Sequence, residues 1–487
     1  MNKKPFQKTL VLILIFAWIF SGWPQIFNFP PKIQKARAAA GVQVASGAFT
    51  IPTGTSTLAV TGTGFQPKAY ILILTKNDSY DAESAQGVNN GAQLAIGMTD
   101  GTRQFCMMSG EEDGQVTSDV GRRGMADKVI CNEDTGDANQ TVLGEASHVS
   151  MDADGFTIDR TTGFTEPSSV IVHYIAFAGD DLTAYVDTAD LADTVDTSLD
   201  VTAPSFQPDV VITSFIGVFL DANGSADNDD HSFSLGWAVN PARQAANNQF
   251  SMMTASRDAF GSGFLTAFSR FDNVHAGTSH RNAAIDASYE INEFDSQGFT
   301  VTTRLTGAVL NEIMGYMAIN FGSNPQVYTV SRTARTATGD DVESGAAFQP
   351  VFLLGVGSAG ATTTNTNINF GSFAVGIATS SAGFAVTYHS SGDIAAASET
   401  HTLISRSFWV GTDDAGLTDY QATLSSFNSN GWTINYSDAA GAEYLQAFLA
   451  IGASAPAGET ATPPRAMRLF KGFRIQIRSG QLIIRPG

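Results

Sequence analysis

The sequence predicts an all-β fold: three tandem antiparallel β-sandwich domains of about 140 residues each, followed by a C-terminal basic β-hairpin. Three observations predict it. The tripeptide Phe-Gln-Pro begins at Phe65, Phe206 and Phe348, at steps of 141 and 142 residues (206 − 65 and 348 − 206), which is the length of a domain. Each copy stands before a short apolar run rich in β-formers, at 69–74, 210–215 and 351–354. Proline cannot donate to a ladder, so it belongs where a strand begins. Between residues 41 and 452 no segment sustains a helical apolar stripe, whereas alternation of apolar with small or polar residues recurs.

The chain opens like an export signal. Lys3, Lys4 and Lys8 precede an apolar run at 10–20, and Ala38, Ala39 and Ala40 supply the small residues of a cleavage site. The run is shorter than the about twenty residues that a bilayer span needs. Residues 1–40 are therefore expected to be a removed signal peptide, with an uncleaved anchor as the alternative, because Trp23 and residues 26–29 extend the apolar character. No later segment is long and apolar enough to cross as a helix. The expectation is a secreted or cell-surface protein with no transmembrane segment after signal cleavage.

Charge is segregated. Residues 1–40 and 465–487 each hold six of the 27 Lys and Arg and no acid, which leaves 15 basic against 47 acidic residues in 41–464. A body of formal charge −32 repels phosphate backbones, so nucleic acid is set aside as a partner.

Aligning the copies yields further shared elements. A first strand region (42–51, 182–191, 327–336) precedes each Phe-Gln-Pro, and a paired-strand region follows at 94–108, 233–253 and 370–389. Next come the turns Asp152-Ala153-Asp154-Gly155, Asp295-Ser296-Gln297-Gly298 and Asn428-Ser429-Asn430-Gly431, where Asp or Asn early and Gly late predict a hairpin with positive φ at the glycine. Each copy closes on an apolar strand and a glycine: Gly179, Gly322, Gly452. The domain limits are 41–179, 180–322 and 323–452, and each copy is long enough to bury a core of its own.

Residues 453–464 read as a Pro-containing linker, and 465–487 as a basic amphipathic hairpin. Phe473, Ile475 and Ile477 alternate with Arg474, Gln476 and Arg478, Ser479-Gly480 turns, and the chain returns through Ile484 to Arg485. Arg474, Arg478 and Arg485 mark it as an assembly tail. An isolated two-stranded hairpin is marginal in water. It is expected to dock on the acidic body of its own chain, on a neighbouring subunit, or on an anionic envelope polymer or membrane face.

Few residues suggest a site. Cys106 and Cys131, an even pair in an exported chain, are expected to form a disulfide, the alternative being two buried thiols. The loop from Asp221 to Asp230 is rich in oxygen ligands, and Asp221, Asn223, Asp227, Asp229 and Asp230 are the candidates for a Ca2+ site, against a solvated acidic loop. Its glycine stands fourth, so it is not an EF-hand loop. Gly355 to Gly360 match GxGxxG, but the polar run 361–367 is a poor helix start, and the fingerprint needs a helix N-terminus. His275 and His280 are close in sequence, yet no histidine recurs in all three copies. No catalytic residue is singled out, and the chain is expected not to be an enzyme.

The order of pieces resembles the H-type lectin domain: a strand-turn opening, Phe-x-Pro before an apolar strand, Gly-Phe-Thr with alternation, and a closing Ala-Ile-Gly strand. The resemblance covers 42–74 with 155–179 and the matching spans of the other copies. It implies a six-stranded antiparallel sandwich that binds N-acetylgalactosamine and related sugars, usually as a trimer. The middle of each repeat is far longer here than in that family, and the tryptophan that often follows the Gly-Phe strand has no counterpart, so no sugar-contacting residue carries over. The expected function is an adhesin-like protein binding glycans or a cell-surface polymer through repeated domains, as a monomer or homo-oligomer. The alternative is a structural subunit of a surface layer, filament or virus-like appendage assembled through the hairpin. A further expectation is that the three copies imitate a trimer as a pseudo-threefold ring within one chain.

Overall fold

The computed structural model describes residues 34–37, 41–81, 84–85, 92–112, 119–133, 141–216, 223–227, 231–257, 267–282, 284–306, 312–322, 325–368, 371–379, 383–390, 400–412, 418–453, 473–478 and 481–486. Among these residues there is no helix, and the strands build three pairs of antiparallel sheets. The stretches from Asp187 to Asp200 and from Arg243 to Asn248 are strand and turn.

Every repeat has the same topology. In the first, the large sheet runs in the order Gln43–Gly54, Phe164–Ala178, Ala69–Leu74, Ala92–Thr99, Gln104–Glu111, Val120–Met125. Its small sheet runs Thr57–Thr61, Gly155–Thr162, Val142–Asp152, Ile130–Glu133. The other two repeats use their corresponding strands in the same orders.

The recurring motifs are explained by one contact. The Gln side-chain amide of each Phe-Gln-Pro donates to a backbone carbonyl at the turn of the small sheet: Gln66 to Met151 (2.6 Å), Gln207 to Phe294 (2.7 Å), Gln349 to Phe427 (2.9 Å). The motif therefore pins the start of a large-sheet strand to the small sheet. The turn glycines are only partly explained by the expected conformation. Gly155 and Gly431 have the positive φ expected of them, +151° and +156°, whereas Gly298 is not among the positive-φ glycines. What all three share is closeness: a Cβ would overlap the carbonyl oxygen of Val60, Val201 or Glu343 on the neighbouring strand.

The apolar runs after the first two Phe-Gln-Pro motifs are buried along their whole length, and the third is buried except at the half-buried Val351, because the large sheets are covered on both faces. Alternate residues serve two cores. Tyr70, Leu72 and Leu74 face the small sheet, whereas Ile71 and Ile73 enter a second core. That second core is common to all three repeats, joining Ile71 and Phe177 with Ile212 and Met317 and with Phe352 and Leu449. Each repeat thus has its own sandwich core, as its length predicts, and in addition shares a central one. Continuous apolar strands are what burial on both faces requires.

The repeats also exchange strands cyclically. Asn223–Asp227 of the second pairs antiparallel with Gly121–Met125 of the first. Asn367–Ile368 of the third pairs with Ser269 and Arg270 of the second. Ser84–Ala85 of the first pairs with His401 and Thr402 of the third, which closes the ring. The pseudo-threefold axis shows where the equivalent strand ends Glu111, Ser256 and Ser390 meet: the Ser390 hydroxyl bonds to Glu111, and the Ser256 and Ser390 hydroxyls lie 3.3 Å apart.

Residues 1–40 were expected to lie outside the fold. Gln34–Arg37 is instead a strand, paired with Gln43–Ser46 on the edge of the first large sheet. The tail is a hairpin of Phe473–Arg478 and Gln481–Pro486, a separate two-stranded sheet with Arg474 directly opposite Arg485.

Candidate functional site

The joints between repeats gather the polar chemistry. The fourth residue of the first strand in each repeat, Ser46, Val186 or Thr329, is held by the hairpin loop of the preceding repeat. At the first joint, Arg103 Nε donates to the Val186 carbonyl (3.1 Å) and the Val186 N–H donates to Asp100 Oδ2 (3.0 Å). Arg103 and Asp100 are paired at 2.7 Å, and the guanidinium sits 3.6 Å from the Tyr185 ring centroid. At the second, one amide does both jobs: Gln244 Nε2 donates to the Thr329 carbonyl (2.8 Å), and Oε1 accepts from its N–H (2.9 Å). Trp237 Nε1 adds a bond to Thr329 Oγ1 (2.8 Å). At the third, the Ser46 and Thr379 hydroxyls lie 2.9 Å apart, and Asn77 Nδ2 donates to the Thr402 carbonyl (3.1 Å). At the first two joints these bonds satisfy edge-strand backbone groups that would otherwise invite another strand.

An open groove of about 490 Å³ lies over the first joint, lined among others by Gln66, Lys68, Asp100, Thr102, His148 and Ser150. Lys68 Nζ is held by the carbonyls of Asp180 (2.9 Å) and Leu182 (2.8 Å), both at the start of the second repeat. His148 Nδ1 is 3.0 Å from the Tyr70 hydroxyl, and burial lowers its pKa below the ordinary histidine value, so it is neutral at pH 7. Asp100 is the one carboxylate among the described residues of the lining, and it is committed to Arg103 and the Val186 N–H. The arrangement offers hydrogen-bonding groups to a neutral polar ligand. A second groove, about 590 Å³, runs along the edge of the third repeat beside Arg332, Arg335, Asp341 and Glu443. Arg332 there is bound to Asp341 and, at 2.6 Å, to Glu343.

The residues singled out from sequence fall as follows. Cys106 and Cys131 are joined with Cα atoms 6.1 Å apart, linking the large and small sheets of the first repeat. Of the calcium candidates, Asp221, Asp229 and Asp230 lie outside the described residues, while Asn223 and Asp227 begin and end the strand donated to the first repeat. Among the described residues no group of three or more His, Cys, Asp or Glu could hold a metal ion. Gly355 and Gly357 of the GxGxxG string stand in a strand, where a Cβ would meet the Trp409 indole. His275 Nδ1 is 3.0 Å from Asp272 Oδ1. Asp152 and Asn428 do the same turn work, Asp152 accepting from Ser150 and Thr157, Asn428 bonding to Ser426 and Thr433. The joint residues Asp100, Arg103, Gln244 and Thr379 were not foreseen, because their side chains differ from copy to copy while their task is shared.

No protein-family model matches the chain, and no curated protein matches it.

Proposed function

We propose that the chain is an exported, non-catalytic, adhesin-like surface protein that binds a glycan or cell-surface polymer at the joints between its repeats. The observation that supports this most is the groove over the first joint. It is open, polar and lined by side chains already oriented by bonds across the joint. Hydroxyl-rich ligands suit such a surface, and a ring that fixes the joints spends little entropy in ordering them. The resemblance to the H-type lectin domain supports the same ligand class.

The test is a glycan array and whole-cell binding assay on the intact chain and on Thr102→Trp, which fills the groove from an exposed loop position. Binding to a defined sugar set, lost in Thr102→Trp and unaffected by chelator, is the expected result. Sugar binding that survives Thr102→Trp moves the site elsewhere. Binding lost on chelation restores the calcium reading. One observation favours a second reading, a structural subunit assembled through its tail: the hairpin forms a sheet of its own.

A further inference from the structure

The three edge strands of the large sheets are not closed alike. Val186 and Thr329 have both backbone groups bonded by side chains of the preceding repeat. Ser46, their equivalent, has its hydroxyl near Thr379, and its backbone is paired instead with Gln34 in the antiparallel ladder Gln34–Arg37 with Gln43–Ser46. The closing strand thus comes from the segment that reads as a removable leader, just before Ala38, Ala39 and Ala40. A four-residue strand has little to hold it once it is cut from the chain.

We infer that Gln34–Arg37 is a placeholder, and that after cleavage at 38–40 its place on Gln43–Ser46 is taken by Phe473–Arg478 of the chain's own C-terminal hairpin. Four observations on this molecule agree. The edge accepts an antiparallel strand, since it holds one. The hairpin has no sheet partner among the described residues, and its register puts Phe473, Ile475, Ile477, Leu482 and Ile484 at positions of one face, with Ile475 opposite Ile484 and Ile477 opposite Leu482. That is an apolar face needing cover. The displaced strand reads Gln-Lys-Ala-Arg, with cations at alternate positions, and the incoming one carries Arg474 and Arg478 against a body of formal charge −32. The tether starts in the right place. Gln34–Arg37 lies against Pro350–Gly357, whose first residue pairs with Gly452, where the last strand of the ring ends.

The twenty residues from 453 to 472 reach up to about 70 Å. A tether beginning beside the edge gives the chain's own hairpin an effective concentration of roughly millimolar, which a second copy in dilute solution does not match. The occupant is therefore the hairpin in cis, and processing exchanges one edge strand for another.

The inference rests on residues 1–40 being cleavable, not on glycan binding, and cleavage can be imposed. In the full chain, Ala38-Ala39-Ala40 is replaced by a specific protease site, and amide exchange of residues 473–486 is followed before and after cutting, in mild detergent. Exchange should slow at least tenfold on cutting, the 1–37 fragment should leave, and the protein should stay monomeric. Ile475→Asp with Ile477→Asp should abolish the protection while leaving exchange in the ring unchanged. Unchanged exchange of the hairpin after cutting overturns the proposal. So does retention of the 1–37 fragment. Protection that grows with protein concentration, with dimers or larger species, assigns the edge to a second copy and overturns docking in cis.

Discussion

The second and third repeats fill the same place in their sandwiches with opposite choices. Between the last residue of the strand after Phe-Gln-Pro and the first residue on the far strand of the small sheet, the second repeat sets Phe215 against Gly277. The third sets Gly357 against Trp409. A Cβ at Gly277 would overlap the Phe215 ring, and one at Gly357 would meet the Trp409 indole. The first repeat takes the middle course with Leu74 and Ile130, both buried. Ile130, Gly277 and Trp409 are equivalent by register, pairing with Ala146, Tyr289 and Ala422. What is held constant is the volume between two layers, as expected of an interior packed to crystal-like density.

One position further on, chemistry varies as freely as size. Cys106 and Cys131 of the first repeat correspond to Ser251 and Thr278 in the second and to Ala385 and Val410 in the third. All six are buried.

The comparison is broken most severely at Trp409. Trp409→Ala should cost about 3–5 kcal/mol, since the three facing glycines Gly355, Gly357 and Gly376 leave nothing to refill the space, and thermal unfolding would register it. Gly277→Trp should be of similar severity, and adding Phe215→Gly should recover at least half of the loss; a double variant no better than the single one removes the volume argument. Replacing Cys106 with Ala and Cys131 with Val copies the third repeat. It should cost about 3.5 kcal/mol, the loop-closure entropy of a ring of about 26 residues, while leaving the sheets intact by circular dichroism. Gln244→Leu strips both backbone partners from Thr329 and should cost about 1–3 kcal/mol, read as faster amide exchange along Gln326–Thr333 than along Thr183–Asp190.

The most gradual effect is one of pH. His173 is fully buried at the third joint, between the Phe384 ring and Tyr80, whose hydroxyl is 3.3 Å from Nε2. Burial pushes its pKa down to about 3. The unfolded chain protonates this histidine below about 6.5 while the native ring does not, so stability is whole above that pH and declines as pH falls from about 6.5 toward about 3. The slope is at most about 1.4 kcal/mol per pH unit. His173→Phe should flatten it in chemical denaturation series; an unchanged slope assigns the acid sensitivity to other groups.

Much of the fold was legible because the features that recur are the ones that touch the backbone at fixed places. Gln66, Gln207 and Gln349 recur since each must reach the same carbonyl, and Gly155, Gly298 and Gly431 recur since each lies under one. The closure of the ring was less legible. The donated strands read Ser-Ala, Asn-Gly-Ser-Ala-Asp and Asn-Ile. Strand pairing is made by main-chain groups, which any of these residues supply, so no shared sequence marks them. The clamps at the joints differ for a related reason: a carboxylate with a guanidinium at Val186 and a single amide at Thr329 meet the same N–H and C=O equally well.

The central claim is that three repeats form one closed ring around a shared core, and small-angle X-ray scattering of the chain from residue 41 onward tests it most directly. A compact body of that length has a radius of gyration of about 22 Å, with the tail adding a few ångströms. Three sandwiches strung end to end, each about 14 Å in radius of gyration, would exceed about 33 Å. A value in the low twenties with a single-peaked distance distribution is the result this account predicts. A value above 30 Å, with the long tail of a rod, would contradict it.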